Sequence, residues 1–360
     1  MFCCQVHKGI VMKAIVIEAP KQVRLVETAI PILKPDEVLV RSRAVGICGS
    51  DVDLYRGTRP QGFHRYPLIP GHEWSGEVAE LGEQVRGLSV GERVVVEGFL
   101  SCGTCRNCRS GLNNLCQAGY DEIGFTRPGG LAEYVAVPAR QVHVLPPIAS
   151  FQEAALLEPT AVVAQGFLQV KPRAAETIVV IGDGTIGLLA VQIASLYSPA
   201  ALIMVGSHDE RLALGQQLGA THIINSRRDD PVPLLHDVTG ELGADLVFEG
   251  GSRAAGVDLA IRLAKRGGTI ALEGIAGAGA QLNLGSDIFV LKHLALQGIF
   301  GASSAAWTYA VQLFSSDYLH LAPLISHRFA LPDYQEALET VMNRHKGVHK
   351  VLLVHDESGR

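Results

Sequence analysis

The sequence predicts an α/β chain: a β-rich half followed by a doubly wound parallel sheet. Three observations carry that prediction. Between Met12 and about Pro147, short alternating or β-branched runs are broken by Gly and Pro every ten or so residues. From Phe151 onward, continuous apolar runs alternate with helix-like stretches of ten to fifteen residues. Early in that second pattern, Gly182-Asp183-Gly184-Thr185-Ile186-Gly187 separates an apolar run from a helical one. The first pattern is that of an antiparallel barrel or sandwich; the second is that of a parallel sheet covered by helices.

Taken in order, AIVIEA, EVLVRSRAV, SGEVAEL, ERVVVEG, AEYVAVP and VHVLP read as strands, because β-branched side chains suit a pleated, half-buried surface. FQEAALLEPTAVVAQGFLQV reads as helix, and TIVVI, the glycine turn and LLAVQIA as strand, turn and helix. Strand and helix then alternate through ALIMVGS, DERLALGQQLGA, THIIN, DLVFEGG, AAGVDLAIRLAKRGG and TIALEGI. After about Ala302 the character is mixed, ending in the strand-like KVLLVH. We place one domain at 12–157 with 302–360 and the other at 158–301. Residues 1–11 read as an extension ahead of Met12, the expected start of the folded chain.

The 360 residues suffice for two cores. A net charge of −5 gives no electrostatic case for nucleic acid or an anionic membrane. No apolar run approaches the roughly 18 residues that span a bilayer. MFCCQVHKGIV has neither the apolar core nor the cleavage site of a secretory signal. The cytoplasm is the expected compartment.

Cys102, Cys105, Cys108 and Cys116 fall within fifteen residues, with gaps of two, two and seven. Their loop is polar and cannot bury a core, so a metal is the natural way to order it. Disulfides are disfavoured by adjacent Cys-x-x-Cys thiols in a reducing compartment. Four thiolates close a zinc tetrahedron and leave no position for substrate, which makes this site structural.

The glycine turn is a phosphate cradle. Gly182 makes the sharp turn, Gly184 lets a pyrophosphate approach, and Gly187 lets helix and strand pack. Thr185 and Ile186 open a helix whose N–H groups face the anion. The next strand ends in Gly206-Ser207-His208, without the carboxylate that would hold an NAD ribose. Ser207, His208 and Arg211 could hold a 2′-phosphate, so NADP is favoured over NAD. Asp209 is expected to cap the following helix; were it instead to reach the ribose, NAD would return.

Cys48, in VGICGSD, and His72-Glu73, in IPGHEWSG, offer a three-ligand zinc set with an open position, and Glu158, in LLEP, offers a fourth ligand. The bland alternative is a small buried cysteine and a solvated His-Glu pair. His64, His143, His293 and His327 read as surface or satisfied core histidines, and Lys350 as a solvated lysine.

Cys48-Gly49-Ser50-Asp51, Gly71-His72-Glu73, the four-cysteine loop, Glu158-Pro159 and the glycine turn occur in that order. Together they resemble the zinc-containing medium-chain alcohol dehydrogenases, in their polyol and threonine dehydrogenase branch, from Met12 to His355. The resemblance implies a GroES-like catalytic domain, a Rossmann cofactor domain, two zinc ions per chain and a homodimer or homotetramer. By that match, Cys48, His72, Glu73 and Glu158 resemble catalytic zinc ligands. Ser50 matches the hydroxyl that passes on the substrate proton, and Asp51 the partner that orients His72. Gly206-Ser207-His208 is similar to the Gly-Ser-Arg of NADP-using relatives, with His208 replacing the arginine. Many relatives carry a relay histidine where this chain has Asp53, so the relay runs through Asp53 or through water and ribose hydroxyls. YRGTRPQGFHRYPLIPGHEWSG and EIGFT are also similar to aminocyclitol dehydrogenases.

The implied reaction moves hydride from a secondary alcohol to NAD(P)+ in the cleft between the domains. Threonine, butanediol or aminocyclitol substrates are the alternatives within that class. A zinc-free quinone reductase would lack the Cys/His/Glu set and the cysteine loop. A non-catalytic zinc and dinucleotide sensor would not need intact catalytic ligands.

Overall fold

The computed structural model describes residues 11–251, 253–277, 279–343 and 347–355. Among the described residues fifteen strands follow one another. The first seven are β1 (Val11–Ala19), β2 (Gln22–Ala29), β3 (Glu37–Ile47), β4 (Glu73–Leu81), β5 (Arg93–Val96), β6 (Tyr134–Pro138) and β7 (Val142–Val144). Six more are β8 (Thr177–Ile181), β9 (Ala201–Gly206), β10 (His222–Asn225), β11 (Ala244–Glu249), β12 (Ala264–Leu272) and β13 (Ala295–Gly298). The last two are β14 (Ile325–Ala330) and β15 (Lys350–Val354). The extension read at 1–11 lies outside the described residues except for Val11, which opens β1.

The chain divides into two compact units, 1–158 with 321–360, and 159–320. In the first, β14-β15-β3-β4-β5-β7 form one sheet with β6 added to β3, while β1 and β2 make a separate hairpin. Trp74, Val94, Val137, Val351 and Leu353 are among the side chains of its core. The C-terminal strand β15 closes antiparallel on β3, Val351 opposite Ile47. That register sets β15 beside the end of β3, next to Cys48.

The second unit is a six-stranded parallel sheet in the order β10-β9-β8-β11-β12-β13. Its central strands are buried on both faces, with Ile178, Val179 and Val180 fully inaccessible, hence their unbroken apolar runs. The strand order reverses between β8 and β11, the point at which such sheets bind ligands beyond their carboxyl ends. The unit extends past residue 301, the boundary expected from sequence. Ser303 donates through both its N–H (3.0 Å) and its hydroxyl (2.7 Å) to Gln165 Oε1. Gln192 Oε1 likewise accepts the His320 N–H at 2.7 Å. These long-range bonds tie 302–320 to the second unit, a linkage with no local sequence signal. No helix among the described residues is long and apolar enough to cross a membrane.

Candidate active site

The candidate site is built around one short helix. Cys48 caps the helix Gly49–Arg56: its Sγ accepts the Ser50 N–H at 3.2 Å, and Asp51 Oδ2 accepts the Cys48 N–H at 2.9 Å. This reciprocal box fixes Cys48 and Asp51 together. His72 and Glu73 arrive at the start of β4, where Gly46 of β3 pairs with Glu73. A Cβ at Gly46 would meet Glu73 Oε2 at 2.2 Å, so only glycine lets this carboxylate lie across β3.

The four side chains converge. His72 Nε2 lies 3.2 Å from Cys48 Sγ, and Nδ1 faces Asp51 Oδ1 at 3.5 Å. Ligand atoms of Cys48, His72 and Glu73 all lie within 4.8 Å of one another. Burial alone would lower the His72 pKa, but Cys48 and Asp51 push it well above the usual imidazole value. Thiol, imidazole and carboxylate gathered in a largely buried cluster are donors that fit a zinc ion. Asp51 backs the imidazole, as such a ligand requires.

Glu158 opens the helix Leu157–Val170 and stands outside that tight set. Burial pushes its carboxyl up to about 8, with Glu73 and Glu122 adding to the shift and His72 and Lys350 opposing it. Ser50 sits in the first turn behind Cys48. Asp53 is exposed, and its Oδ1 accepts the Thr58 hydroxyl at 2.9 Å. It is not gathered with the buried groups.

Lys350 corrects the sequence reading. It is 4% exposed, and Nζ donates to Glu73 Oε1 at 2.8 Å and Oε2 at 2.5 Å. The pairing of β15 with β3 carries it inside, a long-range effect that a lysine in HKVLLV does not announce. The histidines set aside behave as expected: His143 Nε2 meets Glu97 at 2.9 Å, His327 meets Ser326, and His64 meets a backbone carbonyl.

The four cysteines of the loop are unpaired and their sulfurs are gathered. Cys105 and Cys108 sulfurs are 3.4 Å apart, Cys102 and Cys108 4.0 Å. A zinc tetrahedron with bonds of about 2.3 Å has edges of about 3.8 Å, whereas a disulfide would need about 2 Å. Backbone N–H groups point at the sulfurs, from Cys105 to Cys102 and from Cys108 and Gln117 to Cys105. Donors from Thr104 and Cys105 hold the Cys102 thiol down to about 5, which favours the thiolate a metal needs. The chemistry of the donor set fits zinc.

In the second unit, Gly182 has φ +115°, and a Cβ at Gly187 would strike the Gly182 carbonyl at 1.8 Å. A Cβ at Gly184 would enter open space at the N-terminus of the helix Thr185–Ser195. That is the space a pyrophosphate would occupy.

Known proteins share this layout. The alcohol dehydrogenase GroES-like domain family matches residues 34–147, and the zinc-binding dehydrogenase family matches 185–316. An L-threonine 3-dehydrogenase of Burkholderia mallei is 33% identical over 323 residues, covering 88% of this chain and 91% of its own. The chain belongs to the zinc-containing medium-chain alcohol dehydrogenase family.

Solved structures of such dehydrogenases superpose closely. Galactitol-1-phosphate dehydrogenase from Escherichia coli gives a TM-score of 0.86 at 32% identity, covering 95% of this chain and 100% of its own. A Sinorhizobium meliloti structure assigned as a zinc-binding dehydrogenase, bound to NADP, gives 0.90 at 30% identity, covering 96% and 100%. The present dehydrogenase therefore has a GroES-like domain and a Rossmann-like domain. It is an oxidoreductase that binds zinc and uses a nicotinamide dinucleotide.

In this dehydrogenase the end of β9 departs from the sequence reading at two residues. His208, not Asp209, occupies the cap position of the helix Asp209–Gln217. Asp209 is in the first turn, where Asn225 Nδ2 donates to it at 2.8 Å and Arg228 pairs with it at 2.8 Å. Arg211, expected to face a cofactor phosphate, instead faces Asp183 at 3.6 Å. Asp183 itself, given no role in the sequence reading, takes the Ser207 and His208 N–H groups. Its place inside the turn was the one available signal.

Proposed function

We propose that this dehydrogenase oxidises a secondary alcohol within a polyhydroxylated compound, with NADP+ as the preferred acceptor. The observation that carries the reading is the convergence of Cys48, His72 and Glu73. These three hold the catalytic zinc, with Glu158 as a further, more labile ligand; Cys102, Cys105, Cys108 and Cys116 hold a second, structural zinc. When bound, zinc supplies a Lewis-acidic charge that favours the deprotonated form of an alcohol, and the nicotinamide accepts the hydride. Ser50 relays the alcohol proton, its hydroxyl accepting it while passing its own on to water or a ribose hydroxyl. Asp51 fixes the ring orientation of His72, and Lys350 compensates the charge of Glu73. The turn from Gly182 to Gly187 anchors the dinucleotide. Asp209 is paired with Arg228, which supports NADP over NAD at Gly206-Ser207-His208.

The test is a reduction screen with NAD+ and NADP+ over polyols, cyclitols, L-threonine and short alcohols. Turnover of a polyol or cyclitol, faster with NADP+, is expected. Identity to the threonine dehydrogenase supports the second reading, and turnover of L-threonine alone would establish it. A fully zinc-loaded protein that reduces neither cofactor with any of these alcohols would reject both.

Metal analysis should find two zinc ions per chain. Cys105→Ser should lower this to one and reduce the thermal midpoint, because the loop has little apolar surface to replace the ion. Unchanged zinc content in that variant would remove the structural assignment. Unbridged cysteines in both sets suit a reducing compartment, which supports the cytoplasm.

A homodimer is the proposed assembly. β13 is the last strand of its sheet and all four of its residues are exposed. Val290 (79% exposed) and Leu291 (67% exposed) lie just before it. An open strand beside apolar side chains is a template for a second copy. Gln297→Pro should shift the protein toward monomer in light scattering; an unaltered mass would exclude this edge.

A further inference from the structure

An NADP-binding strand end needs a cation for the 2′-phosphate, and the arginine expected there, Arg211, is directed at Asp183. Asp183 organises this corner. It is 7% exposed, and its Oδ2 accepts the Ser207 N–H (2.6 Å), the His208 N–H (2.7 Å) and the His208 ring at Nδ1 (2.9 Å). Burial would raise its pKa, but these bonds hold the carboxyl below its ordinary value. The carboxylate is thus an acceptor only, so Nδ1 of His208 carries a proton and, in the neutral ring, Nε2 is left as an acceptor.

That free nitrogen meets a cation. Arg227 Nη2 lies 3.4 Å from His208 Nε2. Arg227 is exposed on the loop after β10, where Asn225 Oδ1 accepts its backbone N–H at 3.1 Å. The same Asn225 bonds Asp209, whose charge Arg228 neutralises. Of the two adjacent arginines, one is therefore committed to Asp209. The other touches the His208 ring, and no carboxylate pairs with it among the described residues. A guanidinium against His208, whose ring also meets the Ser207 hydroxyl at 3.1 Å, is suited to a phosphate monoester.

We propose that Arg227 is the residue that selects the 2′-phosphate, and that Asp183 is a positioning residue holding Ser207 and His208 toward it. The proposal rests on the NADP reading above and deepens it by naming what discriminates the two cofactors.

The experiment is calorimetric titration of the zinc-loaded protein with NADP+, NAD+, 2′,5′-ADP and 5′-AMP. Arg227→Ala should weaken NADP+ and 2′,5′-ADP by about tenfold to a hundredfold, the usual weight of a charge-assisted bond to phosphate. NAD+ and 5′-AMP should change by less than about twofold, because they carry nothing for that guanidinium to hold. Arg227→Lys should recover part of the loss. Asp183→Asn should lower the ratio of NADP+ to NAD+ affinity several-fold, a selective change that loosening of the fold would not produce. If the wild-type protein prefers NADP+ but Arg227→Ala leaves it unchanged, or weakens both cofactors equally, the selector is wrong and the NADP reading stands. If the wild type binds 2′,5′-ADP no better than 5′-AMP and prefers NAD+, the NADP reading itself fails.

Discussion

Cys48→Ser and His72→Ala should each lower turnover about a thousandfold or more, since a Lewis acid contributes several kcal/mol to stabilising developing negative charge. Dinucleotide affinity should stay within about twofold, because the glycine turn belongs to the other compact unit. Serine is the informative change at Cys48. The Cys48 sulfur also caps the helix Gly49–Arg56, and a serine hydroxyl can keep that cap while giving up the thiolate. The loss would then report metal binding and not a frayed helix. Circular dichroism, zinc content and steady-state rates together decide the point. Near-normal turnover in either variant would remove the catalytic-zinc assignment.

Replacing Lys350 should produce the largest stability loss of any single change outside the apolar core. Lys350→Met leaves the buried Glu73 carboxylate without its cation, and stranding one member of a buried pair costs about 3–5 kcal/mol. The effect should be greatest in zinc-free protein and smaller with zinc loaded, since a metal ion shares the carboxylate's charge. Glu73→Gln combined with Lys350→Met should lose less than Lys350→Met alone, because neither partner is then left charged. Urea unfolding of the three variants measures this directly. A loss below about 1 kcal/mol for Lys350→Met in zinc-free protein would mean that water reaches Glu73 and the pair is not structural.

Much of this was legible because the ligand motifs are local. Cys-x-x-Cys and Gly-His-Glu place donors within a turn or a strand start, where spacing alone constrains direction. Gly182 and Gly187 are required by a left-handed φ and a close backbone approach, both of which a glycine pattern encodes. The strands of the parallel sheet were legible because burial on both faces demands unbroken apolar runs. β13, Ala295–Gly298, was not, since its exposed residues follow no alternation. Asp183 was passed over because its partners lie 24 and 25 positions away, just past the end of the next strand.

The sequence by itself determined the donor types, the two-part α/β architecture and the glycine turn, since each depends on residue types at short range. Only the tertiary structure decided which charges meet. β15 pairing with β3 buries Lys350 against Glu73. The carboxyl ends of β8, β9 and β10 bring Asp183, His208 and Arg227 into one line of contacts. Electrostatic partners are set by distance through space, and a one-dimensional pattern cannot specify distance until the strands are in register.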